Sequence, residues 1–208
     1  VMIALVNAHG SQTAAAYGAG AQLWTYIQMP ALAIGAAVSS MVAQNVGAKR
    51  WDRVSRIAVV GVTFNVLMSG ALVVLVYLFN RTALQLFLHG DSAAVAIGQH
   101  INAIVVWSFL FFGVTFVLFG VVRATGAVYA PLLILAVGLW LVRYPFALAL
   151  SPKWGADAIW WSFPVGSLVS VLAAIAYYRF GGWRQARMLG NAPPLAQPPT
   201  TALATPAE

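Results

Sequence analysis

Apolar residues run along this chain in long, nearly unbroken stretches separated by short polar loops, and no residue from 1 to 48 carries a formal charge. The stretches lack the alternation of barrel strands and exceed their length of about 9–11 residues. About 20 apolar residues cross a hydrocarbon core roughly 30 Å thick, so the pattern predicts membrane-spanning helices. Residues 1–6 read as the end of a helix closed by Asn7, His9, Gly10 and Ser11. The first full span covers 14–46, with Pro30 predicted to kink it because proline removes a backbone donor, and Gly47 placed as its C-terminal cap. A second span covers 57–79, with Asp52 as a candidate N-cap ahead of it. After Arg81 comes a turn at His89, Gly90, Asp91 and Ser92, in which Asp91 or Ser92 caps the third helix. That helix is most apolar over 101–122 and is closed by Arg123 and Gly126. The fourth span, 129–150, opens with Pro131, and a loop at 151–155 leads to the fifth, 156–178, kinked at Pro164.

Composition turns this pattern into a fold class. Hydrophobic residues make up 62% of the chain and charged residues 7%, against about a quarter charged in a soluble domain. Such a chain cannot wet its own surface, so its solvent is lipid. The expectation is an all-α polytopic transmembrane helix bundle, five full spans plus the end of a sixth, over residues 1–188, with lipids as partners. Residues 189–208, rich in Pro, Ala and Thr, are predicted to form a disordered tail. The net charge of +7 sits in short loops, which accounts for it without nucleic acid. One set of alternate loops collects Lys49, Arg50, Arg53, Arg56, Arg123, Arg179, Arg184 and Arg187, the other only Arg81 and Lys153. The positive-inside rule therefore puts the first set and the C-terminus in the cytoplasm and the protein in the inner (plasma) membrane. There is no cysteine, which excludes disulfides and thiolate chemistry. An apolar start on Val1 without a charged leader reads as a piece of a longer protein.

Candidate chemistry is sparse. The sequence holds no metalloprotease, nucleophile-elbow or phosphate-loop motif and no paired carboxylates, so neither catalytic nor metal-binding residues are assigned. His9, His89 and His100 are scattered and read as wetted interfacial groups. Arg143 is the only basic residue well inside a span. It has two readings: snorkelling or pairing toward the outer helix end, about 12 Å away, or lining an aqueous cavity. Gln22, Gln28, Gln44, Asn45 and Asn65 bring amides into the spans, as interhelical glue or as a polar cavity wall beside Pro30. Gly18, Gly20, Gly35, Ala36, Ala37 and the pair Gly166/Ser170 suit close helix packing. Phe109, Phe111, Phe112 and Phe116 suit packing or an apolar substrate. Gln22, Gln28, Asn65, Phe112 and Arg143 are the cavity candidates.

The run from Met29 to Arg50, MPALAIGAAVSSMVAQNVGAKR, resembles the eighth helix and following loop of multidrug and toxic compound extrusion (MATE) transporters. Gly120-Val-Val-Arg-Ala-Thr-Gly126 with Pro131 is similar to the family's turn between helices ten and eleven. Arg143-Tyr-Pro145, then Gly155, Ile159-Trp160 and Phe163-Pro164, resemble its last two helices. The resemblance covers residues 1–188, with Ala124 and Thr125 departing from the commoner Gly and Ala. It implies the second of two six-helix bundles, and a transporter rather than an enzyme. Such a transporter exports organic cations or amphipathic compounds in exchange for H⁺ or Na⁺, with no cofactor. Some branches carry a coupling carboxylate near the position of Phe112, others in the first helix; no acid lies between Asp91 and Asp157 here. The coupling ion is therefore expected to bind mainly outside this chain, in the missing N-terminal bundle. Two alternatives stand beside this: a lipid-linked oligosaccharide flippase of the same superfamily, or a fragment that needs a separate N-terminal half.

Overall fold

The computed structural model describes residues 2–88 and 91–185. His89, Gly90, Arg187 and the predicted tail lie outside the described residues. The described helices are α1 (Met2–Asn7), α2 (Ser11–Gly47), α3 (Trp51–Leu78), α4 (Asn80–Leu88), α5 (Ser92–Val105), α6 (Phe109–Arg123), α7 (Tyr129–Ala136), α8 (Tyr144–Trp154) and α9 (Asp157–Phe180). A 3₁₀ turn, Val106–Ser108, joins α5 to α6, and a π-helical segment, Val137–Arg143, joins α7 to α8. Five helical stretches are long and apolar enough to cross a membrane: Ser11–Gly47, Trp51–Leu78, Ser92–Arg123, Tyr129–Trp154 and Asp157–Phe180. The all-α polytopic bundle read from the sequence is the fold.

The third span is the axis of the bundle. It is the most deeply buried of the five and packs on the first, second and fifth, whereas the second and fourth expose most of their apolar surface. Val59, Leu67, Leu75, Leu132 and Leu141 point outward. In water such a surface would drive association; in a bilayer it is the lipid boundary.

With lipid outside, burial of apolar area gives little reason for helices to meet, and close backbone approach takes its place. At the crossing of α2 and α6, a Cβ on Gly35 would lie 3.1 Å from the Phe116 carbonyl oxygen, and one on Gly120 would collide with the Gly35 carbonyl oxygen. Gly20 is buried against Trp24 and Asn102, and Gly138 of the π segment lies against Gly166 and Ser170 of α9. Gly35, Gly20 and the Gly166/Ser170 pair are thus packing positions. Gly18, Ala36 and Ala37 are exposed on α2, Ala37 at the groove between α2 and α3.

Polar contacts, buried at Trp24 and Asn102 and exposed at His100 and Asp157, tie the end away from the basic loops. Trp24 Nε1 donates to Asn102 Oδ1 at 2.9 Å, and Asn102 Nδ2 donates to Asn80 Oδ1 at 2.8 Å, linking α2, α5 and α4. His100 Nε2 and Asp157 Oδ1 meet at 2.8 Å, joining α5 to the start of α9. At the basic end Trp51 and Tyr178 pack on buried Trp183, their ring centroids 6.3 and 5.1 Å away.

Several boundaries differ from the sequence reading. Gly47 remains helical; Ala48 is the cap, and Lys49 takes the left-handed turn with φ 57°. Asp52 lies within the first turn of α3 and caps nothing, though its charge suits that helix end. Asp91 is the cap of α5, accepting from the backbone N–H of Ala93 and Ala94 at 3.1 Å. The predicted loop 151–155 is helical as far as Trp154, and the turn falls on Gly155 with φ 57°. The helix α4 was not foreseen; its polar Asn80, Arg81, Thr82 and Gln85 conceal a short amphipathic turn whose Leu84 is fully buried. The helices carrying Pro30 and Pro164 continue through them.

Candidate functional site

A cleft of about 510 Å³ opens between the first, third, fourth and fifth spans. From α2 it takes Tyr17, Ala21, Trp24, Thr25 and Gln28, spaced so that about 100° per residue brings all five onto one stripe. Phe109, Phe112, Thr115 and Phe116 of α6 form the second wall. Gly138, Leu139 and Arg143 of the π segment, with Phe163, Gly166, Ser167 and Ser170 of α9, form the others.

The walls are aromatic and locked by one another. Trp24, held at its indole nitrogen by Asn102, meets Phe163 edge-on at 5.3 Å and Phe109 at 5.9 Å. Tyr17 stacks on Trp160 at 5.8 Å, and Phe112 lies 4.3 Å from Phe116. The hydroxyls of Thr25 and Thr115 donate back to Ala21 and Phe111 in their own helices, which leaves their lone pairs for the cleft.

Arg143 is the one charged residue on the cleft wall. Its guanidinium carbon lies 3.2 Å from the centroid of Phe163, and its Nε is buried without a hydrogen-bond partner among the described residues. Two features put it there. Pro145 cannot donate to the Leu141 carbonyl and its ring presses on it, a strain that a wider π turn relieves. The Gly138 contact meanwhile brings the fourth span against the fifth, so that Arg143 Cβ would lie 3.3 Å from a Cβ on Gly166. The fourth span continues to Trp154, and the Arg143 side chain lies over Phe163 in the cleft wall.

Of the five cavity candidates, the cleft gathers Gln28, Phe112 and Arg143. Gln22 is exposed on α2, about 100° around from Ala21 and off the lining stripe. Asn65 is fully buried between α3 and α6, where Ser69 Oγ donates to its Oδ1 at 3.3 Å and Gly113 makes room for it. Its Nδ2 has no hydrogen-bond partner among the described residues, and it does not line the cleft. Tyr17, Trp24, Phe163, Ser167 and Ser170 line the cleft without having been singled out for it. The helical stripe through Tyr17, Trp24 and Gln28 was the available signal; the apposition of α9 was not local information. Among the described residues, no three His, Asp or Glu side chains gather as a metal site would require.

A second groove of about 640 Å³ lies between α2 and α3, walled by Ile34, Val38, Met41, Val60 and Phe64 and rimmed by Asn45, Arg53 and Arg56. It has neither an aromatic cage nor a buried unpaired donor. The interior cleft is the better candidate.

Comparison with known proteins bears on what such a cleft belongs to. The MatE family model matches residues 1–149. A Bacillus subtilis (strain 168) protein described as "Probable multidrug resistance protein YoeA" is 36% identical over 181 residues, 86% of this chain and 39% of that protein. A second from the same organism, "Probable multidrug resistance protein YpnP", is 33% identical over 187 residues, 90% of this chain and 42% of its own length. The chain therefore spans about two fifths of the curated relatives it matches. No solved structure matches it.

Proposed function

The chain belongs to the MatE family of membrane transporters, and from that premise we propose that it forms one wall of a multidrug efflux pathway, with the interior cleft as its part of the substrate cavity. The observation that carries this reading is the cleft itself: about 510 Å³, within the size range of small-molecule sites, aromatic on its walls and polar at Gln28 and Arg143. Such a wall grips an apolar body by its faces and orients it by one polar group, which suits amphipathic compounds.

Export proceeds in exchange for H⁺ or Na⁺ bound mainly outside this chain. No lining residue is a carboxylate, and amides do not titrate, so the cleft has no acid with which to take up a proton. The basic end faces the cytoplasm of a plasma membrane, and an N-terminal bundle, fused or separate, supplies the opposite wall. A flippase of the same superfamily would be expected to carry several cations in its cavity, and Arg143 stands alone.

The test is efflux of an amphipathic dye from energised vesicles. The full-length protein is expected to export the dye with a gradient and to stop when the gradient is collapsed. Residues 1–208 alone are expected to export none. Gradient-driven efflux by this chain alone would overturn the proposed division of labour.

A further inference from the structure

We propose that the cleft selects amphipathic compounds whose polar end is an oxyanion, a carboxylate, sulfonate or phosphate, with Arg143 as the residue that receives it. This rests on reading the cleft as substrate cavity and adds a charge preference to it.

Three observations carry the proposal. First, Arg143 has no ion pair among the described residues, and its Nε is buried and unpartnered. A guanidinium has five N–H donors and cannot accept, so its unmet demand is for an acceptor. A buried donor left without one is costly, most of all on a charged group. Second, the cleft contains no Asp or Glu to neutralise that charge, and Asp157 is engaged with His100 at 2.8 Å. Third, Phe163 offers its face to Arg143 itself at 3.2 Å. A cationic ligand would thus meet an unneutralised positive charge and would find that ring face occupied. The stacked guanidinium makes no hydrogen bond among the described residues, and its N–H edge is the part that matches an oxyanion bidentately. Trp24, Phe109, Phe112 and Phe116 supply the apolar body's share of the site.

The test compares hexylbenzenesulfonate with hexylphenyl-trimethylammonium, one body with opposite head charges. The full-length protein is reconstituted in phosphatidylcholine vesicles, whose neutral surface favours neither. Protein-dependent binding of the sulfonate is expected to be about tenfold tighter or more, as for a charge-assisted hydrogen bond. Arg143→Gln should abolish the preference, and Arg143→Lys, a cation without the planar fork, should keep part of it. The comparison of the two ligands on unaltered protein stands even if a variant fails to fold. Equal binding, tighter binding of the ammonium, or no binding of either overturns the proposal. So does a folded Arg143→Gln protein that keeps the preference, the result expected if an acid elsewhere in the full-length protein pairs with Arg143. Efflux separates this from the broader reading: export of the ammonium but not the sulfonate sinks the charge preference alone, whereas export of no amphipathic compound sinks the efflux assignment with it.

Discussion

Single residues in this bundle matter where they decide whether two backbones can touch or whether a buried polar atom is answered. Gly120 is the clearest of the first kind, since a methyl there would meet the Gly35 carbonyl oxygen, which has no rotamer to move into. Gly120→Ala is expected to cost about 1–3 kcal/mol by overpacking and to lower the thermal unfolding midpoint in detergent. Gly18→Ala, with nothing within 4 Å of its Cβ, should leave the midpoint unchanged or slightly raised. Asn102 is of the second kind. Replacing it with the similarly shaped Leu strands Trp24 Nε1 and Asn80 Oδ1 and should cost about 1–3 kcal/mol, again read as a lower midpoint. His100 and Asp157, joined by a hydrogen bond but about half exposed, carry much less; Asp157→Asn should change stability by under about 1 kcal/mol.

Between elements, the distinctive junction is the fourth span against the fifth. The π segment places Gly138 on Ser170 and Arg143 on Phe163, so a change in that contact alters the cleft wall as well as stability. Gly138→Ala would drive a methyl into Ser170 Oγ, which must rotate away, and is expected to destabilise by about 1 kcal/mol, less than Gly120→Ala. Adding Ser170→Gly removes the obstacle and should recover at least half of that loss, a coupling measured by a double-mutant cycle on melting midpoints. Full additivity of the two substitutions would show that the helices do not meet there. The length and apolarity of these spans were legible in the chain. The π turn was signalled only by Pro145 and Gly138, and no hydropathy pattern distinguishes a π turn from an α turn.

For the molecule as a whole, Lys49, Arg50, Arg53, Arg56, Arg123, Arg179 and Arg184 gather at the end where Trp183, after α9, packs on Trp51, at the start of α3, beside Val54 and Val122. A fluorescent protein fused after Gln185 should therefore fold and fluoresce, and alkaline phosphatase at the same point should be inactive. Fusions at Gly155 should show the opposite pattern. The reverse result would invert the proposed orientation and put the second groove, with Arg53 and Arg56, on the outer face. The cleft is proposed as one wall of a cavity, and the relatives this chain resembles are more than twice its length.

The sequence by itself determined the solvent, the helices and the family. Those follow from quantities that add along the chain: apolar length per span, scarcity of charge, and ordered motifs such as Gly120 to Gly126 with Pro131. It also singled out Arg143, because a lone charge in an apolar stretch is visible without a fold. Where its guanidinium rests was a tertiary matter, because that required α9 to bring Phe163 beneath it. The same holds for Asn65 and Gln28, chemically alike in sequence, one sealed between α3 and α6 and the other facing the cleft. Helix register and neighbour decide that difference, and neither is a local property of the chain.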